Sequence, residues 1–298
     1  MDFDSVALDT SAMAGPLEVR LGAAMASGFR QVVVSAADLV SHPRGVDEAV
    51  ALVRHSGVRV QALRQLQDYE GLSGPLHQYK VNIAKGLLNL CRAAGAPLLL
   101  VTASTVAEAG EDAEHVARDL AKLATLAVPK GIDIAYQAQP GSRVAADVVS
   151  AEACVNAADR ANLGMAIDTG HLFTGDGGLD ALDRCYADRL FLVGLSDTIA
   201  MRAGDAASPA AGERTQDYVR VFPGDGSSAE ALLELIRRLR VIGFHGGFCL
   251  NAANADHAQL PAAFVAEQAR DSLHWLLARL RHIDLPRRRT PRPSLPKD

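Results

Sequence analysis

A carboxylate and an imidazole three residues apart can do acid–base chemistry, and the chain offers such a pair in Asp168-Thr169-Gly170-His171. Imidazole titrates near neutrality, and a nearby carboxylate can orient it and set its tautomer. The pair follows a short apolar run, Leu163-Gly164-Met165-Ala166-Ile167, which reads as a buried parallel strand. Charges placed where such a strand stops lie at the mouth of a barrel or sheet, where parallel α/β proteins do chemistry. The structural alternative is that Asp168 caps the following turn and His171 packs against the rim. Asp-x-x-His alone is a weak pattern, and its position at a strand end is what makes it a candidate catalytic pair.

Other strand ends supply the rest of the rim: Ser35, Arg64, Thr102, Ser104, Gln137, Asp197 and Asn251. Asp197, in Gly194-Leu195-Ser196-Asp197-Thr198, either binds ligand hydroxyls or holds its loop through an Asx turn. Arg220 precedes Phe222-Pro223-Gly224-Asp225-Gly226 and offers a planar fork for a substrate carboxylate, or else a loop salt bridge. Asp68 and Glu70 follow a strand in a polar loop and are expected to fix its geometry.

The elements that must position these residues alternate along the chain. Apolar, strand-like runs occur at Ser5–Leu8, Gln31–Val34, Val58–Leu63, Pro97–Val101, Ile132–Tyr136, Leu163–Asp168, Leu190–Val193 and Gly247–Leu250. Helical stretches lie between them: Pro16–Ser27, Val46–His55, His77–Ala94, Asp112–Val128, Ala151–Arg160, Leu179–Cys185 and a segment to Arg240 opened by a Ser227/Glu230 capping box. Val265, Ala269, Leu273, Leu276 and Leu280 recur at i+3/i+4 and give a last helix one buried stripe. Eight βα units within residues 1–285 predict a single (β/α)8 TIM barrel, with a doubly wound open sheet as the alternative. No GxGxxG or GxxxxGK[ST] follows any strand, so a nucleotide-phosphate cradle is not expected. A polar loop is expected from about Ala200 to Tyr218.

Composition bounds the rest. The 298 residues are 49% hydrophobic, enough for one large core without staples. Cys91, Cys154, Cys185 and Cys249 form no CxxC pair and read as buried thiols of a reduced compartment. An acidic start without a basic n-region, and no long apolar run, predict a cytoplasmic protein with neither signal peptide nor membrane span. The net charge of −5 hides a basic, proline-rich tail, residues 286–298, that is expected to be disordered and sums to +4. The acidic remainder argues against nucleic acid as a partner and leaves a small molecule as the expected ligand.

Several stretches together resemble a known family. Asp68-Tyr69-Glu70-Gly71, Leu99-Leu100-Val101, Ile134 to Ala138, Leu163 to His171, Phe191 to Asp197, Arg220 to Gly226, and Gly243-Phe244 to Asn251 look like xylose-isomerase-like barrels of the sugar phosphate isomerase/epimerase group. Within that group the chain looks most like bacterial 3-dehydroshikimate dehydratases. The Arg-x-Phe-Pro-Gly-x-Gly loop together with Asp-x-x-His is the more specific part.

The resemblance implies one divalent metal such as Mg, Mn or Co, held by Glu, Asp, His or Gln, and Glu from the ends of strands five to eight. Carried over residue by residue, that set is degraded. The first Glu falls on Gln137, the Asp is kept as Asp168, the His or Gln falls on Gly194, and the last Glu falls on Asn251. A substrate-binding Arg falls on Gln67, while His171 and Arg220 are kept. Mg²⁺ and Mn²⁺ favour hard anionic oxygens, and only one carboxylate of three remains. No metal and no other cofactor is therefore expected. Gln137, Asn251, Arg220, Asp197, Gln67 and Tyr136 are expected to bind substrate, with His171 and Asp168 catalytic.

Three functions follow from this pattern. The first is a metal-independent lyase or isomerase, dehydroshikimate-dehydratase-like, acting by proton transfer on a small hydroxylated carbonyl or carboxylate compound. The second is a non-catalytic small-ligand-binding or regulatory barrel. The third is a metal-dependent 3-dehydroshikimate dehydratase-type lyase with unusual ligands. Barrels of this group often pair, so a homo-oligomer is an expectation of the resemblance alone.

Overall fold

A computed structural model describes residues 1–174, 178–201 and 218–284. The expected polar loop, for residues 202–217, and the basic tail lie outside the described residues.

Eight parallel strands close into a barrel: β1 (Val6–Asp9), β2 (Gln31–Ser35), β3 (Arg59–Gln67), β4 (Leu98–Thr102), β5 (Asp133–Gln137), β6 (Leu163–Asp168), β7 (Leu190–Leu195) and, completing the ring between β7 and β1, β10 (Gly247–Leu250). This is the expected (β/α)8 architecture. Helices α1 (Leu17–Ala26), α2 (Ala36–Val40), α3 (Val46–His55), α4 (Gly74–Ala94), α5 (Ala113–Ala127), α6 (Val148–Ala158), α7 (Thr169–Thr174), α8 (Ala229–Val241) and α9 (Ala262–Asp284) connect and surround them. The predicted stripe of α9 is buried throughout, with Leu280, its most exposed member, at 1%. No helix among the described residues is long and apolar enough to cross a membrane.

Three local features depart from expectation. Leu179–Cys185 does not form an α-helix: a 3₁₀ segment, Gly178–Arg184, takes its place after the short α7. The segments flanking residues 202–217 pair as an antiparallel hairpin, β8 (Asp197–Ala200) with β9 (Tyr218–Val221). The Ser227/Glu230 capping box does not form either. Ser227 Oγ instead donates to the Thr198 carbonyl at 3.0 Å, and α8 begins one residue later.

Strand alternation divides the core into two layers. Ala7, Val33, Ala62, Leu100, Ala135, Ala166, Leu192 and Cys249, one from each barrel strand, pack inside the barrel. Their neighbours along the strands, among them Leu8, Leu63, Ile134, Tyr136, Ile167 and Leu250, pack outward beneath the helices. Two residues beyond each inner residue, the same period puts one residue per strand on the upper rim. That ring is Asp9, Ser35, Arg64, Thr102, Gln137, Asp168, Gly194 and Asn251.

Candidate active site

Asp168 ends β6 and is buried at 7% exposure. Its Oδ1 accepts Arg220 Nη1 at 2.5 Å, the Gly170 N–H at 2.9 Å and the His171 N–H at 3.3 Å. Its Oδ2 accepts Asn251 Nδ2 at 3.4 Å. Burial alone would push this carboxyl up, but the Arg220 guanidinium, His171 and the N–H donors outweigh it and hold the value down at about 2. Asp168 is therefore a firmly ionised carboxylate engaged by nitrogen donors on both oxygens.

Arg220 comes from β9, so the hairpin is what delivers it to the barrel mouth. Its Nη1 also lies 3.3 Å from Ser196 Oγ, its Nη2 lies 3.5 Å from the Tyr218 hydroxyl, and its Cζ sits 5.8 Å from the Tyr218 ring centre. Gly170 makes the room. A Cβ there would fall 2.6 Å from Arg220 Nη1 and 2.9 Å from Cζ. The glycine of Asp-Thr-Gly-His thus serves the guanidinium by leaving space for it.

His171 stands on the first turn of α7 with Nδ1 buried and without a hydrogen-bond partner. Burial lowers its pKa, Asp168 raises it, Arg220 lowers it and a hydrogen bond with the Ala138 carbonyl raises it; the balance is downward. The ring is thus held neutral at physiological pH. Asp168 acts on this imidazole through charge, while its carboxylate accepts the His171 backbone N–H and pairs with the Arg220 side chain.

Opposite this pair stands a second one that the sequence reading missed. Asp9, 2% exposed at the end of β1, accepts Arg64 Nη1 on Oδ2 and the Ser11 N–H at 2.9 Å on Oδ1, and Arg64 Nη1 also reaches Ser11 Oγ at 3.0 Å. The signal was available, because Val6-Ala7-Leu8-Asp9 is an apolar run ending on a carboxylate, as in β6. Asp9, Arg64, Gln137, Asp168, Gly194 and Asn251 surround one cavity of about 20 Å³, room for one water, floored by Cys249.

Three expected substrate contacts face elsewhere. Tyr136 is fully buried in the outward layer, and its hydroxyl donates to Glu70 Oε1 at 2.9 Å. One residue from Gln137, it is turned away from the mouth by the strand's period of two. Asp197 is a staple: Oδ1 accepts the N–H groups of Thr198 at 2.8 Å and Ser228 at 2.7 Å, and Oδ2 accepts that of Gly224 at 3.2 Å. It fastens the Pro-Gly loop and the start of α8, which is the Asx alternative. Gln67 ends β3 exposed and outside the cavity. The Asp68 and Glu70 carboxylates hold the neighbouring loop, accepting the N–H groups of Thr105 at 3.0 Å and Ser104 at 2.6 Å.

The four positions of the family's metal ligands do converge, since Gln137, Asp168, Gly194 and Asn251 share the cavity wall. Their chemistry does not fit a divalent cation. Asp168 is already neutralised by a guanidinium, Asn251 presents an amide donor to it, and Gly194 has no donor atom. Among the described residues no group of three or more His, Cys, Asp or Glu side chains is placed to hold a metal.

With the barrel and its mouth in place, the comparison with known proteins is direct. Residues 21–279 match the family described as xylose isomerase-like TIM barrel. The chain belongs to that family. Two curated relatives are 3-dehydroshikimate dehydratases, one from Pseudomonas aeruginosa, 25% identical over 267 residues, and one from Pseudomonas putida, 24% identical over 270 residues. Each alignment covers 90% of this chain but only 41% and 40% of the relative, so the chain spans about two fifths of their length. Among solved structures, a xylose isomerase-like TIM barrel/4-hydroxyphenylpyruvate dioxygenase fusion protein superposes with a TM-score of 0.83 at 22% identity, over 95% of this chain and 44% of that one. The zinc-bound IOLI protein gives 0.77 at 18% identity, over 93% and 99%. An L-ribulose 3-epimerase gives 0.71 at 14% identity, over 96% and 100%. At these identities the structural matches establish the shared barrel and nothing finer.

Proposed function

We propose that this barrel is a lyase or isomerase that moves a proton on a small hydroxylated carbonyl or carboxylate compound without a divalent metal. The observation that carries the reading is the Asp168–Arg220 pair: a guanidinium, held between Asp168, Ser196 and Tyr218, engages the one carboxylate kept at the positions of the family's metal ligands. In this reading Arg220 and the Asn251 and Gln137 amides donate hydrogen bonds to the oxyanion that develops on the substrate carbonyl. His171, neutral and with its buried Nδ1 unpaired, accepts the proton from the carbon beside that carbonyl. In a lyase the proton then leaves with the departing hydroxyl as water; in an isomerase it returns to the neighbouring position. The names of the curated relatives favour the dehydratase form.

A second reading, a non-catalytic ligand-binding or regulatory barrel, is favoured by one observation. The mouth is closed down to a single-water cavity by its own ion pairs. The two readings separate on turnover. Protein prepared with chelator present is assayed on 3-dehydroshikimate, L-ribulose and D-allulose, beside a His171→Gln variant whose fold is checked by circular dichroism. Turnover that survives chelation and disappears in the folded variant supports the enzyme. Ligand-raised melting temperature without turnover supports the second reading, and near wild-type turnover by the variant removes His171 from the mechanism.

A further inference from the structure

Arg64 uses one corner of its guanidinium. Nη1 meets both Asp9 Oδ2 and Ser11 Oγ. Nε and Nη2 have no partner among the described residues, and neither is sealed from solvent. An arginine that served only to tie β1 to β3 would best engage its carboxylate through two parallel N–H bonds. Here Asp9 meets that one nitrogen only, and its other oxygen takes the Ser11 N–H. The pairing therefore fixes the guanidinium in place and leaves a two-donor edge on an arginine that lines the mouth. The Arg64 side chain is 21% exposed and its Asp9 partner 3%, so the carboxylate is buried while the arginine keeps some contact with solvent.

We propose that the Nε/Nη2 edge of Arg64 is a carboxylate subsite, which makes the ligand of this mouth a small hydroxylated monocarboxylate. The inference rests on the proposed function only for the reacting end of the molecule; the anchoring end stands on the geometry of Arg64. A planar guanidinium edge matches a carboxylate in two parallel hydrogen bonds. The Gln137 amide, unpaired among the described residues, and Asn251 lie along the same wall to meet hydroxyl or carbonyl groups. Charge selects against a phosphate. The two arginines of the mouth are matched by Asp9 and Asp168. A dianion would face two carboxylates, whereas a monoanion needs one free edge. Gln67, where the family resemblance puts a substrate-binding arginine, is exposed outside the cavity, while Arg64, three residues earlier, lies on the inner face of the strand.

The test is calorimetric titration of 3-dehydroshikimate and its methyl ester in a His171→Gln background, so that binding is read without turnover. The acid is expected to bind at least about tenfold more tightly than the ester, the weight of one charge-assisted bidentate contact. Arg64→Gln is expected to erase that preference. Because this variant strands a buried Asp9, the Asp9→Asn/Arg64→Gln double variant is the control that removes the pair as a unit, and it too is expected to bind acid and ester alike. Inorganic phosphate is expected not to compete. Equal binding of acid and ester by the parent, binding of neither, retention of the preference in the double variant, or displacement by phosphate overturns the subsite. If the preference depends on Arg64 but the wild type shows no turnover, the subsite stands and the proposed reaction falls. If turnover is seen with no such preference, the reverse holds.

Discussion

Arg220 Nη1 lies 2.5 Å from Asp168 Oδ1, both side chains buried at 10% and 6% exposure, although 52 residues separate them in sequence. The contact changes what the strand-end carboxylate is for. Asp168 is the counter-ion that fixes a guanidinium at the barrel mouth.

Metal content is the first consequence. Protein purified without chelator should carry Mg, Mn, Co and Zn well below one equivalent by elemental analysis, and a stoichiometric metal would refute the reading of the donor set. Rebuilding the set should reverse the outcome. A Cβ at Gly194 meets nothing closer than 3.6 Å, so the backbone there accepts a side chain's first carbon. Gln137→Glu/Gly194→His/Asn251→Glu should bind Mn²⁺ or Zn²⁺ and gain melting temperature with added metal.

Acid should weaken the fold through Asp168. Its folded pKa, about 2, lies below the ordinary 3.8, so the ionised form is favoured in the native state. The sign follows: the stabilisation is complete above pH 4 and is lost as pH falls through the folded value. Nearly two units correspond to about 2 kcal/mol. Arg220→Ala should cost roughly 3–5 kcal/mol at neutral pH by stranding a buried charge. Gly170→Ala, by crowding the guanidinium, should cost about 1–3 kcal/mol. Urea unfolding at pH 7 and pH 3 reads all three.

His171 should set an acid limb in the rate profile. Its pKa is lowered by burial, so the neutral base persists below the ordinary 6.5. A plot of kcat/KM against pH should be flat through neutrality and fall with a midpoint below 6.5. The same shift acts on stability. As pH drops below 6.5 the unfolded chain takes up this proton more readily than the native one, so the contribution is destabilising in acid. A midpoint above 6.5 would mean that another group, or a charged His171, carries the limb.

Tyr136 should behave as a structural residue. Tyr136→Phe removes the hydroxyl that donates to Glu70, leaving a buried carboxyl whose other oxygen already lacks a partner. A loss of about 1–3 kcal/mol is expected, with kcat and KM unchanged. A change in KM without a change in stability would return Tyr136 to the substrate.

The barrel, its eight strands and the rim residues Ser35, Arg64, Thr102, Gln137, Asp168 and Asn251 were legible in the sequence. Apolar runs of strand length and helical stripes are local patterns, and a period of two fixes which residue at a strand end turns inward. The same period, read more strictly, would have moved Tyr136 to the outer layer and picked out Asp9. What the sequence alone could not decide is pairing across distance. Asp168 has His171 three residues away and Arg220 far along the chain, and local spacing favours the nearer. Only the closed barrel and the β8–β9 hairpin bring the guanidinium over the carboxylate, into space that Gly170 leaves empty. Ion pairs reward proximity in space whatever the separation in sequence, so the partner that wins is set by the tertiary structure.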